Sequence, residues 1–248
     1  MLKVIADMHC HTVASSHAYS TLLENLAAAK EKGLNLIAIT DHCTALPDSP
    51  HLYYFFNLRI LPREVNGVYL LKGVEANVVD FEGNIDVPEE FIDGLEWVIA
   101  SMHVPVLTPG SQDDHTKAWL GVCKNKYVDV IGHSGTEHFK YDYERVIQEF
   151  KINHKIVEIN SCSFKIREGA NVNCKEIAKL CKKYEVPIVV DSDSHFALNI
   201  AKVDDALRML SEIEFPEKLI INTDFDKLVK AVKDIRGRDI KGTCLINE

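Results

Sequence analysis

An α/β architecture, built as a closed or nearly closed barrel of seven parallel strands, is predicted by three features of the 248-residue chain. Short, almost continuous apolar runs alternate with amphipathic helical stretches, the pattern of a parallel sheet covered on its outer face. Seven such units follow one another with no linker-like shift of composition. Acids and histidines punctuate the ends of the apolar runs, and barrels of this kind build their sites at the carboxyl ends of their strands. An open doubly wound sheet is the alternative. It is less able to bring side chains from seven strand ends to one spot.

The first strand spans Lys3 to Met8 and leads into Asp7-Met8-His9-Cys10-His11. Strand alternation turns His9 and His11 to one face and Cys10 to the other. Thr21-Leu22-Leu23-Glu24 has the form of a capping box, and Gly33 stops the helix that follows. Leu36 to Thr40 is the second strand. Residues Ala45 to Asn66 are less regular, because Pro47, Pro50 and Pro62 break any long helix. The third strand is Val68 to Val74, ending in Glu75. After a short helix, Glu89 to Asp93, Trp97 to Ser101 forms the fourth strand. A helix over Asp114 to Cys123 precedes the fifth strand, Val128 to Ile131. Tyr143 to Phe150 reads as helix and Ile156 to Ile159 as the sixth strand. Cys174 to Tyr184 has a helical period, and Ile188 to Val190 is the seventh strand. Helices are expected at Val203 to Ile213 and Asp226 to Ile235. Leu219 to Ile221, between them, is an eighth strand or an edge.

Composition narrows the function. A hydrophobic fraction of 46% is enough for a sizeable core. The balance of 28 Lys and Arg against 37 Asp and Glu argues against general affinity for long nucleic acid or an anionic membrane. The seven cysteines are odd in number and contain no C-x-x-C, so neither a disulfide framework nor a zinc knuckle is expected. No apolar run approaches the ~18 residues of a membrane span, and the amino terminus has no long apolar segment. A soluble, cytoplasmic protein is expected, with oligomeric state left open.

The strand ends collect His9, His11, His42, Glu75, His103, His133, Asp193 and His195, and His17 lies in the loop after the first strand. Seven of the 11 histidines are therefore in this set. Any one alone reads as a hydrogen-bonded structural residue. Together they share the small volume of one barrel face, and burying so many ionisable groups uncompensated would cost several kcal/mol each. Metal binding is the natural compensation. Catalytic sites take about three protein ligands per ion, so nine candidates suit three ions, or fewer if the site is partly filled. Glu75, from a middle strand, is the better bridging carboxylate. Histidine and carboxylate without thiolate suit zinc, manganese or iron, and the donor set alone does not choose among them.

Asp7-Met8-His9-Cys10-His11, Thr40-Asp41-His42, Gly132-His133 and Asp193-Ser194-His195 resemble the four motifs of the PHP (polymerase and histidinol phosphatase) superfamily. Gly73-Val74-Glu75-Ala76-Asn77 and Glu158-Ile159-Asn160 resemble its stand-alone YcdX-type branch. The resemblance runs from Lys3 to about Ile235 and implies a single PHP domain over residues 1–248. It implies a distorted, TIM-like (β/α)7 barrel with a trinuclear metal site and phosphatase activity. It also implies a partition of ligands. His9, His11, Glu75 and Asp193 surround one ion, Glu75, His103 and His133 a second, and His17, His42 and His195 a third. Ser134 and Asp191 depart from the usual pattern, and the Asp-x-His spacing favours Asp193 over Asp191 as the ligand.

The expected chemistry is hydrolysis of a small phosphomonoester by a metal-bound hydroxide held by these ligands. Asp7 and Asp41 are expected to orient imidazoles. Arg59 and Arg167 are the leading cations for a phosphate, ahead of Arg63 and Lys165. His51 and His138 are candidate proton donors. The alternatives are a phosphodiesterase or 3′–5′ exonuclease acting on nucleotides, and a non-catalytic metal-binding interaction barrel.

Overall fold

The computed structural model describes residues 2–92 and 94–236. In chain order its elements are β1 (Ala6–Cys10), α1 (Leu22–Glu31), β2 (Leu36–Ile39), α2 (Leu52–Asn57), β3 (Glu64–Val65), β4 (Val68–Asn77), α3 (Glu89–Ile92), β5 (Trp97–Ser101), α4 (Gln112–Lys124), β6 (Val130–Ile131), α5 (Tyr143–Ile152), β7 (Ile156–Asn160), α6 (Ser163–Ile166), α7 (Ala170–Tyr184), β8 (Ile188–Asp191), α8 (Asp204–Glu212) and α9 (Phe225–Arg236). Seven parallel strands run in the order β1-β2-β4-β5-β6-β7-β8, a nearly closed TIM-like barrel. The expected end of the third helix at Asp93, and Cys244, lie outside the described residues.

Alternation along the strands divides the core. Met8, Leu36, Leu71, Trp97, Ile99, Val130, Ile156 and Val189 meet inside the barrel, where Leu228 and Val232 of α9 join them. The opposite faces of β5, β7 and β8 pack Val98, Val157 and Val190 against Trp119, Phe150 and Ile177 of α4, α5 and α7. Cys10, Ile37 and Leu70 instead pack against Leu26 and Ala29 of α1. Each large side chain buried in these layers contributes about 2 kcal/mol relative to exposure.

Three local features differ from the sequence reading. Glu75 lies inside β4, which continues to Asn77 rather than stopping at Val74. The irregular stretch before β4 contains the two-residue strand β3, paired antiparallel to it. The turn between them is Asn66-Gly67, both with positive φ, as a tight hairpin requires. Leu219 to Ile221 forms 3-10 turns with one parallel bridge, Ile188 to Ile220, instead of a strand.

Side chains close the seam between β1 and β8. Buried Asn222 donates from Nδ2 to the carbonyls of Ala6 at 3.0 Å and Val190 at 2.7 Å, and accepts from the Val190 amide at 3.1 Å. Midway, Asp191 Oδ1 accepts from the Met8 amide at 2.8 Å and Asp7 Oδ1 from the Ser192 amide at 3.1 Å. Near the carboxyl ends, the His11 amide donates to the Ser194 carbonyl at 2.8 Å. Burial, reinforced by the charge of Asp7, pushes the Asp191 carboxyl well above the usual range.

Candidate metal centre

A bulge in β1 aims the first two histidines. Asp7 pairs with Ile37 and Cys10 with Ile39, so three residues of β1 pass two of β2. A bulge reverses the side-chain alternation at that point. Met8 stays in the barrel interior, Cys10 turns to the α1 layer, and His9 and His11 lie buried at the barrel mouth. His133 and Asp193 have φ of 24° and 53°, a left-handed conformation that non-glycine residues adopt at a cost and that clusters at functional sites. A Cβ at Gly132, just before His133, would lie 2.2 Å from Ser101 Oγ and 2.6 Å from Ile99 Cγ2, so a larger residue there would have to displace both side chains.

The structure brings all nine residues together. Glu75 is the centre. Its Oε2 lies 2.7 Å from His42 Nδ1, 3.3 Å from His9 Nε2 and 3.5 Å from His11 Nε2. Its Oε1 lies 2.8 Å from His133 Nε2 and 3.4 Å from His103 Nε2. Asp193 Oδ1 approaches His11 Nε2 at 3.2 Å and His9 Nε2 at 3.6 Å. His195 Nε2 lies 2.9 Å from His17 Nε2. By proximity, three sets share a space: His9, His11 and Asp193; His42, Glu75 and His103; His11, His42 and His195. His42 thus approaches Glu75 as well as His195.

The inward atoms have the chemistry of a cation site. His9 Nε2, both nitrogens of His11, His103 Nε2 and Asp193 Oδ1 are buried without a hydrogen-bond partner, while Glu75 Oε2 and His42 Nδ1 face each other at 2.7 Å. Each such orphan costs about 1–3 kcal/mol. Divalent ions accepting these lone pairs remove the penalty, so the residues present fit a metal centre. The electrostatics agree. Burial opposes charge on Glu75, yet His42, His9 and His103 hold its carboxyl well below the usual range. Burial likewise opposes charge on His9, but Glu158, Glu75 and Asp193 hold its imidazole well above the ordinary value. Burial lowers His103 to about 4. Glu75 and Asp193, both held well below the usual carboxylate range, therefore carry the negative charge of the cluster.

The outward atoms of the same residues are held by partners to which sequence reasoning gave no role, and by Arg167, which it expected at the phosphate. Glu158 Oε1 bonds His9 Nδ1 at 2.6 Å, while its Oε2 accepts from the His133 amide at 2.6 Å. Asn77 Oδ1 bonds His103 Nδ1 at 2.8 Å, and Asp48 Oδ2 bonds His17 Nδ1 at 2.5 Å. Asp193 Oδ2 accepts from Asn160 Nδ2 at 3.1 Å and Arg167 Nη1 at 3.3 Å. Such contacts fix the tautomer and orientation of a metal ligand. Polar Glu158 and Asn160 at alternate positions of apolar β7 were the available signal.

Asp7 and Asp41, expected to orient imidazoles, bond elsewhere. Asp7 serves the seam and the Ala201 amide. Asp41 accepts from the Thr12 amide and the Ser15 hydroxyl, each at 2.8 Å, and from the Tyr54 hydroxyl at 2.5 Å. It folds the loop that carries His17. Of the candidates for substrate contact, Arg167 lines the cavity of about 630 Å³ that opens over His17, His42, His103 and His195. Arg59, His51 and His138 are not brought to its walls. The Arg59 guanidinium lies 3.8 Å from the centroid of the Phe56 ring, and His51 caps α2 by accepting from the Tyr53 amide.

Fold and site together define a TIM-like β/α barrel with a histidine–carboxylate cluster at the carboxyl ends of its strands. The chain belongs to the PHP domain family, whose model matches residues 7–232. It is 46% identical over 233 residues to a protein of Clostridium novyi described as a probable phosphatase, covering 94% of this chain and 96% of that one. A probable phosphatase of Acetivibrio thermocellus is 43% identical over 237 residues, covering 96% of this chain and 98% of that one. Among solved structures, the histidinol phosphate phosphatase of Lactococcus lactis, complexed with zinc, L-histidinol and phosphate, shares the fold. The TM-score is 0.61 at 17% identity, covering 87% of this chain and 95% of that one. No helix among the described residues is long and apolar enough to cross a membrane.

Proposed function

We propose that this protein is a metal-dependent phosphatase that hydrolyses small phosphomonoesters. The observation that carries the reading is the convergence of unpartnered, buried nitrogen and oxygen atoms on one another at the barrel mouth. The relatives described as probable phosphatases support it. The proposed holders are His9, His11, Glu75 and Asp193 for one ion, Glu75, His103 and His133 for a second, and His17, His42 and His195 for a third. Zinc is our first choice, in keeping with the zinc of the Lactococcus lactis structure.

Divalent ions in this donor set supply Lewis acidity to a phosphoryl oxygen and lower the pKa of a water toward neutrality. The protein's own part is orientation. Glu75 presents one oxygen to the His9, His11 and His42 side and the other to the His103 and His133 side. Glu158, Asn77 and Asp48 hold three imidazoles so that Nε2 faces inward. Asn160 and Arg167 hold Asp193. Arg167, on the cavity wall, is placed to donate to phosphate oxygens of a bound ester.

Elemental analysis of the purified protein should find about three transition-metal ions per chain. The metal-loaded protein should turn over an aryl phosphomonoester faster than the matching diester. Protein that takes up no metal overturns the site, and a faster diester rate overturns the monoester assignment.

A further inference from the structure

We infer that the cavity over the cluster selects phosphomonoesters whose leaving group presents an apolar or aromatic face and carries no second anionic group. The inference rests on the phosphatase reading above. The cavity, about 630 Å³, has far more room than a phosphoryl group fills, so its remaining walls meet the rest of the substrate. Leu46, Pro47, Pro105 and Ile166 supply the apolar part of those walls, beside the polar side chain of Asn199 and the Cys162 thiol. The apolar side chains come from the segments after β2, β5 and β7, so the apolar surface is assembled from three parts of the barrel rim. Ile166 is 66% exposed, a branched aliphatic side chain held in solvent at the edge of a polar site. It is the last residue of α6, and its neighbour is Arg167. One short helix end therefore delivers an apolar contact and a guanidinium into the same cavity.

Charge excludes a second anion. Among the described residues lining the cavity, Arg167 is the only lysine or arginine, and it already donates to Asp193 Oδ2 and Ser163 Oγ. Asp48 and Asp193 line the same space. Nearby Lys165 is paired with Asp205 at 2.9 Å. A carboxylate or second phosphate on the part of the leaving group that extends past the histidine cluster would meet aliphatic surface and Asp48, with no lysine or arginine of its own. An aromatic ring would instead cover Ile166, Leu46 and the two prolines, and burying that much apolar surface favours it by about tenfold or more.

Binding of non-hydrolysable phosphonates to the zinc-loaded protein, measured by calorimetry, tests this independently of turnover. Phenylphosphonate should bind at least about tenfold tighter than 2-hydroxyethylphosphonate or 2-carboxyethylphosphonate. Ile166→Asp should shrink that ratio to about twofold, and Ile166→Leu should preserve it. Equal binding of the three phosphonates, or tighter binding of the carboxylated one, overturns the inference. Turnover of phenyl phosphate by the same preparation checks the parent reading. Selective binding without turnover upholds the selectivity and overturns the phosphatase. Turnover without selectivity overturns the selectivity alone.

Discussion

Glu158 holds the His9 ring with one oxygen and the His133 amide with the other, so one buried carboxylate steadies both sides of the cluster. Glu158→Gln replaces one of those acceptors by an NH2 group, which cannot satisfy its donor. Removing such a support costs about 10–100-fold in metal affinity. We expect a loss of that size in a chelator competition titration, and unchanged affinity would reject the role. The cysteines make a second residue-scale prediction. Burial pushes the Cys43, Cys123 and Cys174 thiols up to about 12, and the Cys10 thiol up as well. A raised thiol pKa leaves less thiolate at pH 8 than the ordinary value near 8.5 allows. Iodoacetamide at pH 8 should therefore label these four only after unfolding; labelling of the native protein would contradict their burial.

At the scale of elements, the loops that carry the clustered histidines depend on how neighbouring elements begin and end. Thr21 caps α1 in a reciprocal box with Glu24. Thr21→Ala should destabilise the protein by about 1 kcal/mol, read as a lower urea midpoint. The Thr21 amide and hydroxyl hold the Glu24 carboxyl below its usual range. A depressed carboxyl contributes stability above its unfolded pKa and loses it as pH falls through the folded value. The midpoint difference between wild type and variant should accordingly shrink from pH 7 to below the ordinary glutamate range. A constant difference would show that the box does not depend on the charged glutamate.

For the whole molecule, closure of the barrel is the feature on which the site depends. Asn222 satisfies three backbone groups across the β1–β8 seam and is itself fully buried. Asn222→Ala orphans all three, and a loss of about 3 kcal/mol or more is expected in urea unfolding. A loss under about 1 kcal/mol would mean the seam closes without it. Metal removal is the matching test at the other end of the barrel. Ions that bind only the folded state stabilise it by mass action, so chelation should lower the midpoint of thermal unfolding. An identical midpoint with and without chelator would argue that the orphaned atoms hold no ion.

The sequence by itself determined the strand and helix alternation, the parallel barrel, and the eight strand-end residues that meet at its mouth, whereas His17 is brought to them by the fold of its loop. Those properties follow from local periodicity and from the direction of a parallel strand, which sends every strand end to one face. It also determined that Cys10 turns away from His9 and His11, although the bulge that puts both histidines at the mouth was not legible. Tertiary structure alone decided the partners. Glu158 meets His9 across 149 residues, and Asp7 and Asp41 are drawn to backbone and hydroxyl groups instead of imidazoles. It likewise decided that Arg167 reaches the cavity while Arg59 lies over Phe56. The physical reason is the same in each case. Side-chain period is written in covalent geometry, whereas a hydrogen-bond partner is chosen only when closure of the barrel sets which strand ends face one another.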